Sequence, residues 1–391
     1  MKSKKQMTVL FDANPIAISG RSGVGHYSHY LVQALADAYP DELRLIGHYY
    51  DFLGRKHPAD LPVAPNISYR PTKLFPGKLT NMLRRLGMPL PLEILAKHRG
   101  DVLLFPNFLT LPSLFRAPSV VTIHDLCFLE YPQFVSDLNL HDLRHYVPTS
   151  IQHASLILAV SDFTKNAIVD AYGVKPEKIV VTPVPPLKKA MMSAETARKL
   201  VAETGISKQF ILFVGNLEPR KNLLNLIEAY RLCPPEIRDK HSLVLAGGKG
   251  WKNEDLLARV KQLQQAGMDI VLTGYVSDDQ KDALQQQASL VVLPSFYEGF
   301  GMPILEAFRF GVPVAASDIP VLREVAGDAA AYFNPDDAAD IAHAMTSALT
   351  DDKLRQRLIG REPAELNKYS WEKTAHTLFA KLREIVHENR H

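Results

Sequence analysis

Residues 291–311 read V-V-L-P-S-F-Y-E-G-F-G-M-P-I-L-E-A-F-R-F-G. The apolar run at 290–293 has the length and composition of a strand buried in a sheet covered on both faces. Pro294 and Ser295 end it, and a loop then carries Tyr297, Glu298, Gly299, Phe300 and Gly301. Pro303 suits the first position of a helix and Gly311 its C-terminal cap. Strand, glycine loop and helix start together make an anion-receptive site, because free N–H groups point out of a helix N-terminus. Glu298 falls in the loop and Glu306 near the first helical turn, where two carboxylates can accept the hydroxyls of a polyol. Taken alone, the pair reads first as a solvated loop acid at Glu298 and an acid answering the helix dipole at Glu306; the intervening G-F-G-x-P in its strand–loop–helix setting reverses that preference.

Outward from this stretch, 391 residues imply two or three domains, each with enough chain for its own core. The composition, 46% hydrophobic and 22% charged with a formal net charge of +3, is that of a globular protein. No arginine-rich or aromatic-interleaved tract accompanies that small charge, which argues against nucleic acid as a partner. Cys127 and Cys233 have no metal-ligand spacing and are expected to be free thiols in a reducing compartment. The basic start is followed by an apolar run too short for a signal-peptide core, and no run reaches the ~20 residues of a membrane span. A cytoplasmic location is expected, with peripheral attachment to the inner face of the membrane as a variant of it.

The same strand–loop–helix grammar recurs through both halves. In the first, strands are expected at 7–11, 43–50, 101–105, 118–123, 156–160 and 179–182. The loop 12–24 contains Gly20, Ser22 and Gly23, and a helix is expected over 25–39. Ser161 and Asp162 read as cap and first-turn acid of another helix, closed by Gly173. The proline-rich stretch 183–189 is the best linker. In the second half, a strand at 210–214 leads through Gly215, Asn216, Arg220 and Lys221 to a helix at 223–232. Two cations at a helix N-terminus are unfavourable by about 0.3–1 kcal/mol unless an anion is bound, which points to a diphosphate. Two doubly wound α/β domains follow, Rossmann-like and facing a central cleft: residues 1–183, and residues 184–370 with a final helix at 371–391.

Four motifs carry a resemblance. The E-x7-E pair Glu298 and Glu306 encloses G-F-G; E-P-R-K-N spans 218–222; T-I-H-D-L spans 122–126; and G-K-G-W spans 248–251. Together they resemble the retaining glycosyltransferases of the GT4 type, with GT-B fold, in a mannosyltransferase-rich branch. That resemblance implies a nucleotide-diphospho-sugar donor, GDP-mannose by preference, and a polysaccharide or lipid-linked glycan acceptor. It implies that Glu298 holds sugar hydroxyls while Gly299, Phe300 and Gly301 offer backbone groups, and that Glu306 accepts from the ribose. Lys221 and Arg220 would hold the diphosphate, Val276 would lie beside the base, and Gly23 and Gly25 would lie over the phosphates. His124 would donate to the donor sugar, with Asp125 fixing its tautomer. Many relatives have arginine where this chain has Asn216, so one phosphate contact is missing or differently supplied. The last helix is expected to cross back to the first domain. No D-x-D follows an expected strand, so no obligatory metal and no other cofactor is expected.

The stretch 73–99 holds Lys73, Lys78, Arg84, Arg85, Lys97 and Arg99 against one acid, Glu93. It reads either as a face for anionic membrane or as a solvated basic surface. Rival functions are a sugar-nucleotide epimerase, a phosphorylase, or a non-catalytic sugar-nucleotide subunit.

Overall fold

The computed structural model describes residues 6–18, 22–54, 61–74, 76–187 and 190–389. Gly20, and Lys188 and Lys189 of the expected linker, lie outside them. The chain divides into two compact units: Met1–Leu126 with His141–Val184 and Ser370–His391, and Cys127–Leu140 with Pro185–Tyr369.

In the first unit the strands are β1 (Met7–Asp12), β2 (Leu43–His48), β3 (Ile67–Tyr69), β4 (Val102–Phe105), β5 (Ser119–Ile123), β6 (Leu156–Ala159) and β7 (Ile179–Val181). Among the described residues they form one parallel sheet in the order β3-β2-β1-β4-β5-β6-β7. All four residues of β4 and of β6 are buried, as strands covered on both faces must be. The helix Asp162–Tyr172 starts where Ser161 accepts from Thr164 N and ends at Gly173 in left-handed conformation, φ 62°. The helix Trp371–Glu388 packs on the helix Gly23–Ala38 through Tyr27 and Tyr30 against Trp371 and Tyr39 stacked on Phe379. Leu378 and Leu382 are fully buried in that contact layer. The C-terminal helix therefore belongs to the first unit.

The second unit repeats the pattern with β8 (Gln209–Val214), β9 (His241–Ala246), β10 (Ile270–Gly274), β11 (Leu290–Leu293), β12 (Val314–Ser317) and β13 (Ala330–Phe333). Their order among the described residues is β10-β9-β8-β11-β12-β13, again all parallel. Its core is built from Ile211 and Phe213 of β8, Leu243 and Leu245 of β9, and Val292 of β11. Leu226, Ile227 and Tyr230 of the helix Leu223–Leu232 pack on them.

One boundary differs from the continuous first domain expected over 1–183. Residues Cys127–Leu140 cluster with the second unit. Trp251 Nε1 donates to Phe134 O at 2.7 Å, and Lys252 Nζ donates to Val135 O at 3.1 Å. Phe134 also stacks on Phe296 at 5.6 Å. The G-K-G-W stretch thus holds a segment that sequence order assigns elsewhere.

Candidate active site

In the second sheet the strand order reverses between β8 and β11. Open α/β sheets bind ligands outside the C-terminal ends of the strands at such a point. After β8 the chain makes a single tight helical turn, Pro219–Lys221, and passes through Asn222 at φ 57° before the helix Leu223–Leu232 begins. Arg220 and Lys221 therefore sit one turn ahead of the helix, not in its first turn. Asn222 Nδ2 donates to Pro294 O at 2.9 Å and Pro335 O at 2.7 Å, which ties this turn to the chain leaving β11. The loop after β9 presses on the same turn. A Cβ on Gly250 would lie 2.2 Å from Leu217 O, and one on Gly247 1.9 Å from Gly215 O. Those glycines allow a backbone approach that any side chain would block.

Into this corner β11 delivers Glu298. Lys221 Nζ donates to its Oε1 at 2.5 Å and Arg220 Nη1 to its Oε2 at 2.7 Å. Ser295 Oγ also donates to Oε1, at 2.7 Å. Arg220 reaches Tyr297 O at 3.2 Å and, through Nε, Glu218 Oε2 at 3.0 Å. Asn216 Nδ2 donates to Glu218 Oε1 at 3.1 Å. Burial pushes the Glu298 carboxyl up, but Lys221 and Arg220 outweigh it and bring the group down to about 2. Burial and then the neighbouring Arg220 draw the Lys221 ammonium down. The two cations have a bound anion, as their placement requires, and the protein supplies it. Glu298 is more fully engaged than a solvated hydroxyl acceptor, because Oε1 takes both Lys221 and Ser295 and Oε2 takes Arg220.

Glu306 lies in the helix Met302–Phe308, entered through Gly301 at φ 98°. A Cβ there would meet Leu322 Cδ2 at 2.6 Å. Pro303 takes the second helical position, Glu306 the second turn, and Gly311, φ 67°, lies beyond the helix end at Phe308. Lys281 Nζ donates to Glu306 Oε1 at 2.8 Å and Gln285 Nε2 to Oε2 at 2.9 Å. Both come from the helix Asp278–Gln287, whose N-cap Ser277 closes a capping box with Gln280. Burial pulls the Lys281 ammonium down, yet Glu306 raises it above its ordinary value. Neither Lys281 nor Gln285 was among the residues expected from the sequence. Phe300 is buried edge-on to Tyr369 at 5.5 Å. Val276 connects β10 to the Ser277 cap and is half-buried.

His124, Gly23 and Gly25 belong to the first unit. His124 follows β5 and is buried, its ring edge-on to Tyr27 at 5.1 Å. Its Nε2 lies 2.8 Å from Pro106 O. A carbonyl can only accept, so Nε2 carries the proton, and burial lowers the ring's pKa and keeps it neutral. Pro106 thus fixes the tautomer that the sequence assigned to Asp125. Nδ1 is then an acceptor, so the ring would receive a hydroxyl proton and not donate one. Gly23 and Gly25 are in the first turn of the helix Gly23–Ala38, two residues earlier than the expected start, and not in the loop.

Among the described residues no cluster of His, Cys, Asp and Glu is arranged to hold a metal ion. The corner at the switch point offers two directed cations and two carboxylates held in place. The two cations are of the kind that stabilises charge developing on a leaving diphosphate.

Comparison with known proteins accords with this geometry. The model for glycosyl transferases group 1 matches residues 198–363, and that for glycosyltransferase family 4 matches residues 21–185. The O-antigen chain mannosyltransferase B of Escherichia coli is 32% identical over 387 residues, covering 94% of this chain and 97% of that protein. Sucrose-phosphate synthase from Thermosynechococcus elongatus superposes with TM-score 0.74 at 18% identity, over 97% of this chain and 99% of that one. Anabaena HepE, in complex with UDP and glucose, gives TM-score 0.70 at 20% identity, over 97% and 100%. The chain belongs to glycosyltransferase family 4, as a mannosyltransferase-like glycosyltransferase of the GT-B fold.

Proposed function

We propose that this glycosyltransferase moves mannose from GDP-mannose, with retention of anomeric configuration, to a growing surface-polysaccharide or lipid-linked glycan acceptor. The observation that carries the reading is the pair Lys221 and Arg220, fixed on Glu298 at the switch point of the second sheet. Two cations held there suit a diphosphate, which accepts charge-assisted hydrogen bonds from both. As the glycosidic bond breaks, negative charge grows on the leaving phosphate, and pre-placed cations stabilise it without reorganisation. Glu306, positioned by Lys281 and Gln285, keeps lone pairs for ribose hydroxyls. The Gly299 to Gly301 backbone and Glu298 serve the sugar, and Val276 lies by the base. The choice of mannose is supported by the E. coli relative, which is named an O-antigen chain mannosyltransferase. Lys221 and Arg220, rather than a metal ion, take the diphosphate charge in this scheme.

Calorimetry of GDP with Lys221→Ala tests the reading. Loss of one charge-assisted contact of about 1.5–3 kcal/mol weakens binding by roughly 10- to 100-fold. Product analysis with EDTA present should show undiminished transfer and the α-configured mannoside. Unchanged GDP affinity in Lys221→Ala removes that residue from the site.

A further inference from the structure

Lys221 Nζ and Arg220 Nη1 point at different oxygens of one carboxylate, Glu298, at 2.5 and 2.7 Å. Ser295 Oγ fixes the same carboxylate from a third direction at 2.7 Å. Glu218 takes a separate edge of the Arg220 guanidinium, at Nε, 3.0 Å away. Arg220 and Lys221 against Glu218 and Glu298 make a cluster with no net charge. Glu298 is 6% exposed, so water does little to loosen it.

This arrangement meets the proposed function with a conflict. Lys221 directs one of its three N–H donors and Arg220 its Nη1 at Glu298, so a diphosphate that approaches these cations meets a carboxylate of like charge already seated on them. The sugar hydroxyls need the lone pairs of Glu298, of which Lys221 and Ser295 take both on Oε1 and Arg220 takes one on Oε2. A single exchange resolves both. Resting on the reading of Lys221 and Arg220 as diphosphate ligands, we propose that Glu298 is a displaceable carboxylate: it positions the two cations before the donor binds, the diphosphate replaces it on them, and Glu298 turns to the sugar hydroxyls. Glu218 stays on Nε throughout and keeps the guanidinium oriented, as a positioning residue. The exchange makes diphosphate binding compete with an internal ion pair. The sugar repays that competition by giving the released carboxylate new hydrogen bonds, so the site favours an intact donor over the bare diphosphate product.

The test is calorimetry of GDP and GDP-mannose, and in parallel UDP and UDP-glucose, on the native protein and on Glu298→Gln, Glu218→Gln, Ser295→Ala and Lys221→Ala. Glu298→Gln keeps the shape and removes the competing charge. It is expected to bind the bare diphosphate about tenfold tighter, ~1.4 kcal/mol, while transfer falls. Its preference for sugar nucleotide over diphosphate should shrink, because that preference runs through the carboxylate. Ser295→Ala touches no charge and should tighten diphosphate binding by a smaller factor. Glu218→Gln should leave the donor-to-diphosphate ratio unchanged. Bare-diphosphate affinity that is unchanged or weaker in Glu298→Gln, with Lys221→Ala still weakened, overturns the exchange and leaves the donor reading standing. An equal change of ratio in Glu218→Gln also overturns it, since the effect would then be general electrostatics. No loss in Lys221→Ala overturns the donor reading itself.

Discussion

Glu298 is buried against two cations, and the balance of those effects makes its ionisation a stability term as well as a binding one. Burial favours the neutral acid, the cations favour the carboxylate, and the group ends at about 2. An unfolded glutamate titrates near about 4.3. A folded pKa below the unfolded one gives stability that is fully present above the unfolded value and lost as pH falls through the folded one. The pH-dependent contribution is about 3 kcal/mol at neutral pH. Melting curves of the native protein and Glu298→Gln should therefore differ most above pH 5 and converge as pH approaches 2; a gap constant over that range contradicts the ion-paired state. The cations themselves were legible in the sequence, because two positive charges ahead of a helix are a misfit that any reader can see. Their compensating anion was not. Glu298 lies 78 and 77 residues from Arg220 and Lys221, and no local pattern pairs them.

At the scale of elements, strands with continuous apolar runs were readable, and what escaped has physical reasons. The strand Ile67–Tyr69 is three residues long at a sheet edge, too short to show a period. The helix Asp278–Gln287 hides because half of its buried face is polar. Asp282 and Gln285 are buried beside Ala283 and Leu284, with partners Arg309, just past the end of the helix Met302–Phe308, and Glu306 within it. A helix that buries a site instead of a core breaks apolar periodicity, and here it carries Lys281. The helix Gly77–Arg85 was readable as basic and amphipathic, and its side chains narrow what it can do. Arg84 and Arg85 both pair with Asp142, and Arg84 lies over the Tyr146 ring at 4.6 Å. Lys73, Lys78, Leu74, Met82, Leu86 and Met88 are instead exposed. If this face meets anionic lipid, Lys73→Glu with Lys78→Glu should weaken binding to phosphatidylserine vesicles about 30-fold or more, at ~1 kcal/mol per cation lost. Arg85→Glu should act partly through loss of the Asp142 pair. Co-sedimentation decides it, and a native protein that stays off the vesicles removes lipid from the list of partners.

At the scale of the molecule, two units with separate sheets and separate cores need not unfold together, and a ligand confined to one unit reveals which transition belongs to it. The residues assigned to the nucleotide from Asn216 to Glu306 lie in the second unit, whereas Gly23, Gly25 and His124 lie in the first. A ligand that binds only the native state raises stability by RT ln(1 + [L]/Kd), about 2.7 kcal/mol at a hundredfold excess over Kd. GDP should thus lift chiefly the transition of the second unit, and any smaller shift of the first unit's transition reports on Gly23 and Gly25. The shift should vanish in Lys221→Ala. Hydrogen exchange should localise the protection to the chain after β8 and after β11, where amides join the switch-point corner. The base enters the same experiment. In the proposed function Val276 meets the base through backbone groups, which leave little side-chain signature, and mannose is chosen by likeness to a relative at 32% identity. GDP, UDP and ADP compared at equal concentration should rank GDP first. Stabilisation by UDP with no response to GDP overturns GDP-mannose as donor. Because the proposed function puts Arg220 and Lys221 on the diphosphate and not on the base, the Lys221→Ala loss should persist with whichever nucleotide ranks first.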